Sequence, residues 1–297
     1  MSIKNKTVRL ILLLRLNRFL KAISFCLVGF FCLVGCNTSS PPANETSPPP
    51  LENQSSIIDN QIPEMADSDK IKMDSSIVTT HLMGKFDPLK DKNFIEIELE
   101  YADRPGQILH KETYAAFLKM FEAAKKDSIK LIIKSATRNF SAQKAIWEGK
   151  WNGNRLLEGN INAAKKIPDP KQRALKILEY SSMPGTSRHH WGTDIDLNAF
   201  VNSYFEKGEG KKEYDWLVAN AGTFGFCQPY TPKGSERPEG YNEEKWHWSY
   251  LPLATRLSDQ YKIRLNDKDI SGFDGAETAT EIGIIKKYVF GINHHCL

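Results

Sequence analysis

No unbroken apolar run of 18 residues occurs in these 297 residues, so no permanent membrane-spanning helix is expected. Charge of one sign is not in excess either. The 40 basic residues outnumber the 36 acidic ones, but six of the basic ones fall in the first 35 positions, and without them the count is 34 against 36. No basic stripe with interleaved aromatics is present, which excludes nucleic acid as a partner. A Lys-Thr-Gly triplet is missing. The Ser141-Ala142-Gln143-Lys144 tetrad therefore lacks the partner that a serine acyl-enzyme of the penicillin-binding kind requires. No internal repeat is visible. Between Asn37 and Ser76 there are no aromatics and no sustained apolar period, while Pro, Ser, Asn and acidic residues abound, including Pro48-Pro49-Pro50. Such a segment cannot bury enough surface to order itself and reads as a tether.

What is present begins with an export signal over residues 1–35. Lys4, Lys6, Arg9, Arg15, Arg18 and Lys21 form a basic region without acidic residues, followed by the short apolar run Ala22 to Val34. Leu33-Val34-Gly35-Cys36 resembles the lipobox of bacterial lipoproteins. That resemblance implies cleavage before Cys36, lipid on its thiol, and anchorage in a bacterial envelope, facing the periplasm or the cell surface. An ordinary secretory signal with a buried Cys is the alternative. Asn37 in place of Asp points to an outer membrane where two exist. Cys26 and Cys32 leave with the signal, so Cys227 and Cys296 remain as a disulfide or as two buried thiols.

The domain plan is thus a signal at 1–35, a lipidated Cys and tether at 36–76, and one compact domain at 77–297. Alternation over Asn93 to Leu99 predicts a half-buried strand, and Tyr114, Phe117, Leu118, Phe121 and Ala124 mark a helix from Lys111 to Asp127. A short strand is expected over Lys130 to Ser135, a helix from near Ser141, and a Gly- and Asn-rich loop over the site from Trp151 to Asn160. Further on come a helix at Pro170 to Tyr180, a strand at Thr193 to Leu197, a helix at Glu213 to Ala221 and a strand at Trp246 to Tyr250. Helices and strands do not alternate regularly, which favours α+β, with a central antiparallel sheet carrying the site and helices flanking it.

The chemistry concentrates in two segments, Ser187-Arg188-His189-His190-Trp191-Gly192-Thr193-Asp194-Ile195-Asp196 and Glu244-Lys245-Trp246-His247. On a strand, Ile195 and Leu197 point to one face, and Asp194 and Asp196 share the other. Paired carboxylates beside a turn at Gly192 suit a cation, although a surface strand edge tolerates them too. Two imidazoles and one carboxylate leave a zinc ion one open position, and a free Glu beside the last ligand can move protons. Glu244 and His247 would face opposite ways on a flat strand, so the chain must bend there if both act together. Trp246 and Trp248 should pack inward around His247. His190 reads as exposed or as standing behind the ligands, and His294 and His295 as surface residues.

Ser187, His189, Gly192 and Asp196 fit the pattern Ser-x-His-x-x-Gly-x-Ala-x-Asp, and Glu244, Trp246 and His247 fit Glu-x-Trp-His. These segments resemble the VanY-type D-alanyl-D-alanine carboxypeptidases, zinc enzymes of the group that includes lysostaphin-type peptidases and hedgehog domains. The likeness runs from about Lys130 to Leu251 and takes in Ser135-Ala136-Thr137-Arg138 with Gln143, then Trp216-Leu217, Asn220-Ala221 and Gly225-Phe226. It implies one Zn2+ per chain on His189, Asp196 and His247, Glu244 as catalytic base and Arg138 at the oxyanion. Gln143 and Ser187 would contact substrate, although Ser187 suits a turn cap equally well. The implied substrate is a peptidoglycan stem peptide, with removal of the terminal D-Ala as the family default, by a monomer. L,D-carboxypeptidase, D,D-dipeptidase and endopeptidase activities share this apparatus, and a zinc-holding wall-binding domain without catalysis is a further rival. Two departures stand out. Asp194 replaces the usual Ala, either holding a ligand imidazole from behind or altering substrate choice. Ser249-Tyr250 replaces the usual Arg-Tyr.

Overall fold

The computed structural model describes residues 72–297. The export signal, Cys36 and most of the expected tether lie outside the described residues. The tether's last residues do not behave as a tether. Asp74 N–H donates to Gln260 Oε1 (2.9 Å), Gln260 Nε2 donates to the Lys72 carbonyl (2.8 Å), and Arg256 reaches the Asp74 carboxylate at 3.0 Å. The folded body therefore starts by Lys72 rather than at residue 77.

A four-stranded antiparallel sheet forms the centre, in the order β3-β4-β6-β5: β3 (Ile133–Ser135), β4 (Asp194–Leu197), β6 (His247–Tyr250) and β5 (Phe226–Cys227). A separate ribbon pairs β1 (Phe94–Glu96) with β2 (Ile108–His110). The architecture is α+β, as expected. Strand β1 is shorter than the expected Asn93 to Leu99. Ile97 still reaches the Gln107 carbonyl, but Tyr101 N–H closes a turn onto Glu98, leaving Leu99 exposed.

Five longer helices surround the sheet: α1 (Lys111–Lys126), α2 (Phe140–Trp151), α3 (Pro170–Ile177), α4 (Gly208–Asn220) and α5 (Leu251–Arg264). Their starts follow local chemistry. Asn139 caps α2 by accepting from Ala142 N–H, and Asp169 caps α3, with Pro170 at its first position. Helix α4 begins at Gly208, earlier than the expected Glu213, with Lys207 extended in front of it. Apolar residues of α1 (Phe117, Met120, Ala124) and α4 (Trp216, Leu217) pack on Ile133, Ile195, Leu197, Phe226 and Trp248 of the sheet. The opposite sheet face is left to polar side chains.

A second cluster joins α2, α3, α5 and the C-terminal segment around Trp147, Ile177, Tyr261, Phe273 and Ile284. Trp147 is fully buried, and its indole donates to the Asp274 carbonyl at 2.8 Å. Cys227 on β5 and Cys296 are joined by a disulfide, with Cα atoms 5.8 Å apart and 69 positions between them in sequence. The bond ties the C-terminal turn to the sheet edge. Among the described residues no helix is long and apolar enough to cross a membrane.

Closing so long a loop constrains the unfolded chain. Replacing both Cys227 and Cys296 by Ala should lower the unfolding free energy by about 2–4 kcal/mol, measured by urea denaturation; an unchanged midpoint would mean that the bridge adds nothing.

Candidate metal centre and its cavity

Strands β4 and β6 pair with Asp196 opposite His247 and Asp194 opposite Ser249, so all four side chains leave the sheet on its polar face. Just before β6 the chain turns, and His247 N–H donates to the Glu244 carbonyl at 3.2 Å. That is the bend required of the Glu-x-x-His spacing, and it brings Glu244 Oε2 within 3.4 Å of His247 Nδ1. His189 arrives from a 3-10 turn, Arg188–Trp191, which ends at Gly192 in the left-handed region (φ +69°). A Cβ on Gly192 would stand 2.5 Å from the Phe94 ring and 3.0 Å from the His110 nitrogen, so only glycine closes this turn against the β1–β2 ribbon.

Each imidazole is fixed from behind. His189 Nδ1 lies 2.8 Å from the Ala136 carbonyl, which directs Nε2 towards Asp196 Oδ2 at 3.4 Å. His247 Nε2 lies 2.8 Å from Asp194 Oδ2, leaving Nδ1 to face Asp196 Oδ1 at 3.0 Å. One donor atom from each of His189, Asp196 and His247 falls within 4.8 Å of the other two. His189 Nε2 and Asp196 Oδ1 are buried without a hydrogen-bond partner among the described residues. Orphaned donor atoms converging in this way fit a divalent cation. The nitrogen and oxygen donors suit zinc.

Buried charge sets the electrostatics. Burial disfavours a charged His247, but the surrounding carboxylates of Asp194, Asp196 and Glu244 outweigh it and hold its pKa well above the usual imidazole value. Burial, with Arg138 nearby, lowers that of His189. Desolvation raises the Glu244 carboxyl, against the opposing pull of His247. Asp194 and Asp196 stay low despite their burial, Asp194 through Arg188 and His247, and Asp196 through His189 and His247.

Asp194 sits at the hub of a buried network that its position in the motif did not disclose. Arg188 Nε donates to Asp194 Oδ2 (3.2 Å), and Ser249 and Thr193 hydroxyls donate to Oδ1 (2.8 and 2.6 Å). The same guanidinium also donates to Ser249 (2.8 Å) and to Ser258 on α5 (3.1 Å), and stacks on Trp191. A buried carboxylate six residues from an Arg in one motif was the available signal. Of the two open readings for Asp194, the geometry favours support of His247.

The other expected residues divide. Arg138 Nη1 lies 2.6 Å from Ser135 Oγ and 3.5 Å from Asp196 Oδ2, and its Nε donates to Gln143 Oε1 at 3.0 Å. With Glu244, Gln143, Arg155 and Glu158 they line a cavity of about 800 Å³ over the three donors, so part of the Trp151 to Asn160 segment does border the site. Ser187 does not line this cavity. It is buried at the start of the 3-10 turn, with its hydroxyl unpartnered. His190 is not exposed; the Gly185 N–H and the Arg138 carbonyl bind its two nitrogens behind His189. Trp248 joins the core, whereas Trp246, though buried, borders the cavity. His294 and His295 lie at the surface. Tyr230, its ring tilted against His247 with centroids 4.6 Å apart, and Lys150 also line the cavity, and neither belongs to a motif that would single it out.

An antiparallel sheet presents two imidazoles, a carboxylate and an adjacent Glu inside one cavity, a donor set that suits a metal ion with a proton carrier beside it. Comparison with known proteins narrows the reading. Residues 106–253 match the family model described as VanY: D-alanyl-D-alanine carboxypeptidase, and the chain belongs to that family. It is similar to the Bacillus subtilis (strain 168) protein YodJ, with 27% identity over 174 residues, covering 57% of this chain and 56% of YodJ. Similarity also extends to a D-alanyl-D-alanine carboxypeptidase of Enterococcus faecalis (strain ATCC 700802 / V583), 29% identical over 144 residues and covering 48% of each chain. The chain thus spans about half the length of these relatives. Among solved structures, VanYB in complex with D-alanine-D-alanine superposes with a TM-score of 0.43 at 23% identity, over 58% of this chain and 84% of that one.

The Arg188–Asp194 pair makes a sharp test. Asp194→Ala leaves a guanidinium buried without its counter-charge and should destabilise the fold by about 3–5 kcal/mol. Adding Arg188→Met should return most of that loss in denaturant unfolding; equal losses in the single and double variants would disprove the coupling.

Proposed function

We propose that this protein is a zinc-dependent peptidase of the bacterial cell envelope that removes the terminal D-Ala from peptidoglycan stem peptides. The observation that carries the reading is the arrangement of His189, Asp196 and His247, each imidazole pinned through its far nitrogen, with Glu244 beside His247 Nδ1. Membership of the VanY family supports peptidoglycan as the substrate. A lipid anchor on Cys36 would hold the enzyme at the membrane, close to that substrate.

In this reading His189 Nε2, Asp196 and His247 Nδ1 hold the metal ion. When bound, zinc supplies Lewis acidity towards a carbonyl oxygen and acidifies a water. The remaining work belongs to the chain. Glu244, buried at the cavity wall, takes the proton of the attacking water and returns it to the leaving amine. The Arg138 guanidinium, steadied by Ser135 and Gln143, faces the oxygen on which negative charge develops. The aromatic rings of Tyr230, Tyr241 and Trp246 restrict water around the reacting bond. Asp194 acts through His247, keeping Nδ1 turned towards the metal position.

The serine alternative has no support in the geometry. Ser141 is exposed, and the Lys144 ammonium is bound to the Gly272 carbonyl at 2.7 Å.

Three measurements test the proposal. Purified protein should carry one zinc per chain by elemental analysis, and His189→Ala or His247→Ala should lose it. Glu244→Ala should keep the metal while kcat falls about 10²–10⁴-fold; undiminished turnover would remove Glu244 from the chemistry. Mass spectrometry of a defined pentapeptide stem should reveal the tetrapeptide and free D-Ala. Release of a dipeptide, or cleavage only of a tetrapeptide stem, would instead assign D,D-dipeptidase or L,D-carboxypeptidase activity.

A further inference from the structure

Lys150 is a buried cation that the chemistry above does not use. It stands in the last turn of α2 and is only 7% exposed, yet it borders the same cavity as Glu244 and His247. Its ammonium has one hydrogen bond, to Ser181 Oγ at 2.7 Å, and no carboxylate among the described residues lies within ion-pair distance. An ammonium carries three donors and no acceptor, so two remain for a partner. Burying a charge without a counter-charge is costly, and an apolar side chain would fill the space as well. Desolvation lowers the Lys150 pKa, and Glu158 is the main opposing influence.

Its place on the cavity wall suggests what it meets. Gln143 and Lys150 are two helical turns apart, about 10 Å along α2. Both side chains are tied to neighbouring residues of one loop, Gln143 Nε2 to the Ser182 carbonyl (2.8 Å) and Lys150 to Ser181. Gln143 in turn binds Arg138, which lies 3.5 Å from Asp196. A run of polar contacts thus leads from Asp196 through Arg138 and Gln143 to the loop that holds the ammonium. Arg104 and Arg155 add positive charge to the same cavity, against Glu158, Asp196 and Glu244. A peptide whose scissile carbonyl sits at the Asp196 end runs through the same cavity that Lys150 lines, so a carboxylate further along it can meet the ammonium.

We propose that Lys150 is the carboxylate-binding residue of this cavity, pairing with a free carboxylate of the bound peptide. The inference rests on the peptide-hydrolase reading of the site. Two carboxylates qualify, the C-terminal α-carboxylate and a side-chain carboxylate of the stem. Only the first would make Lys150 the residue that confines the enzyme to chain ends.

The test uses Lys150→Met and Lys150→Arg in zinc-loaded protein, with three pentapeptides: the free acid, its C-terminal amide, and one with its side-chain carboxylates amidated. Binding is measured by calorimetry in the Glu244→Ala background, so that pairing reads out whether or not a bond is cut, and kcat and KM are measured with Glu244 intact. Lys150→Met should weaken binding of the free acid at least tenfold and raise KM with kcat little changed, while Lys150→Arg recovers part of the loss. On the peptide that lacks the paired carboxylate, Lys150→Met and the parent should agree within twofold, and that peptide identifies the partner. An equal penalty on all three peptides, no penalty on any, or no binding of any peptide overturns the proposal. Carboxylate-selective binding without hydrolysis by the protein with Glu244 intact would overturn the peptidase reading and leave the carboxylate site standing.

Discussion

The pairing of Asp196 with His247 across β4 and β6 is the constraint on which the site depends. In an antiparallel pair, opposed residues project to the same side, and a slip of one residue would send the slipped strand's side chains to the opposite face. Ile195 and Trp248 guard against that slip, because they are buried on the other face with α1 and α4. The hydrophobic contact that stabilises the sheet is therefore the same contact that sets the carboxylate against the imidazole. His189 is added from outside the sheet by a turn that only Gly192 can close.

Around this pair the protein collects an unusual density of buried charge. His247 lies among three carboxylates, from Asp194, Asp196 and Glu244. Arg188 balances Asp194, and its remaining donors reach Ser249 on β6 and Ser258 on α5. The guanidinium thus links the helix after the sheet to the imidazole within it, without entering the cavity. Where the family pattern carries Ala, this chain has Asp194, paired with the buried Arg188. Ser249, standing where the family pattern usually carries Arg, donates to that carboxylate. The two departures from the motif meet in one hydrogen bond.

Much of the fold was readable from local patterns, and the exceptions have physical causes. Helix α1 appears nearly as its apolar spacing predicts, because a long amphipathic period is an average over many residues. Strand β1 fails at its C-terminal end, where the alternation of Ile97 and Leu99 continues but the backbone turns at Glu98 to meet a different partner. The expected tether ends early for a similar reason. Asp74 stands in no periodic apolar pattern that would advertise order, yet Arg256, Gln260 and Arg264 on α5 provide for its polar groups. Contacts between residues nearly two hundred positions apart leave no local trace.

The same division holds in the site. The family resemblance contributed Arg138 and Gln143; sequence alone selected His189, Asp196, His247 and Glu244 as chemical candidates, since the spacing of such residue types reflects what a metal and a proton carrier demand. It also fixed that Asp194 and Asp196 share a strand face, a consequence of the two-residue period. Which nitrogen of each imidazole faces the cavity, that Ser187 lies away from it, that Arg188 belongs to Asp194, and that Lys150 joins the substrate wall were decided only in three dimensions. Those facts depend on which side chains meet across the sheet and between helices. Burial then assigns each charge its partner or leaves it without one.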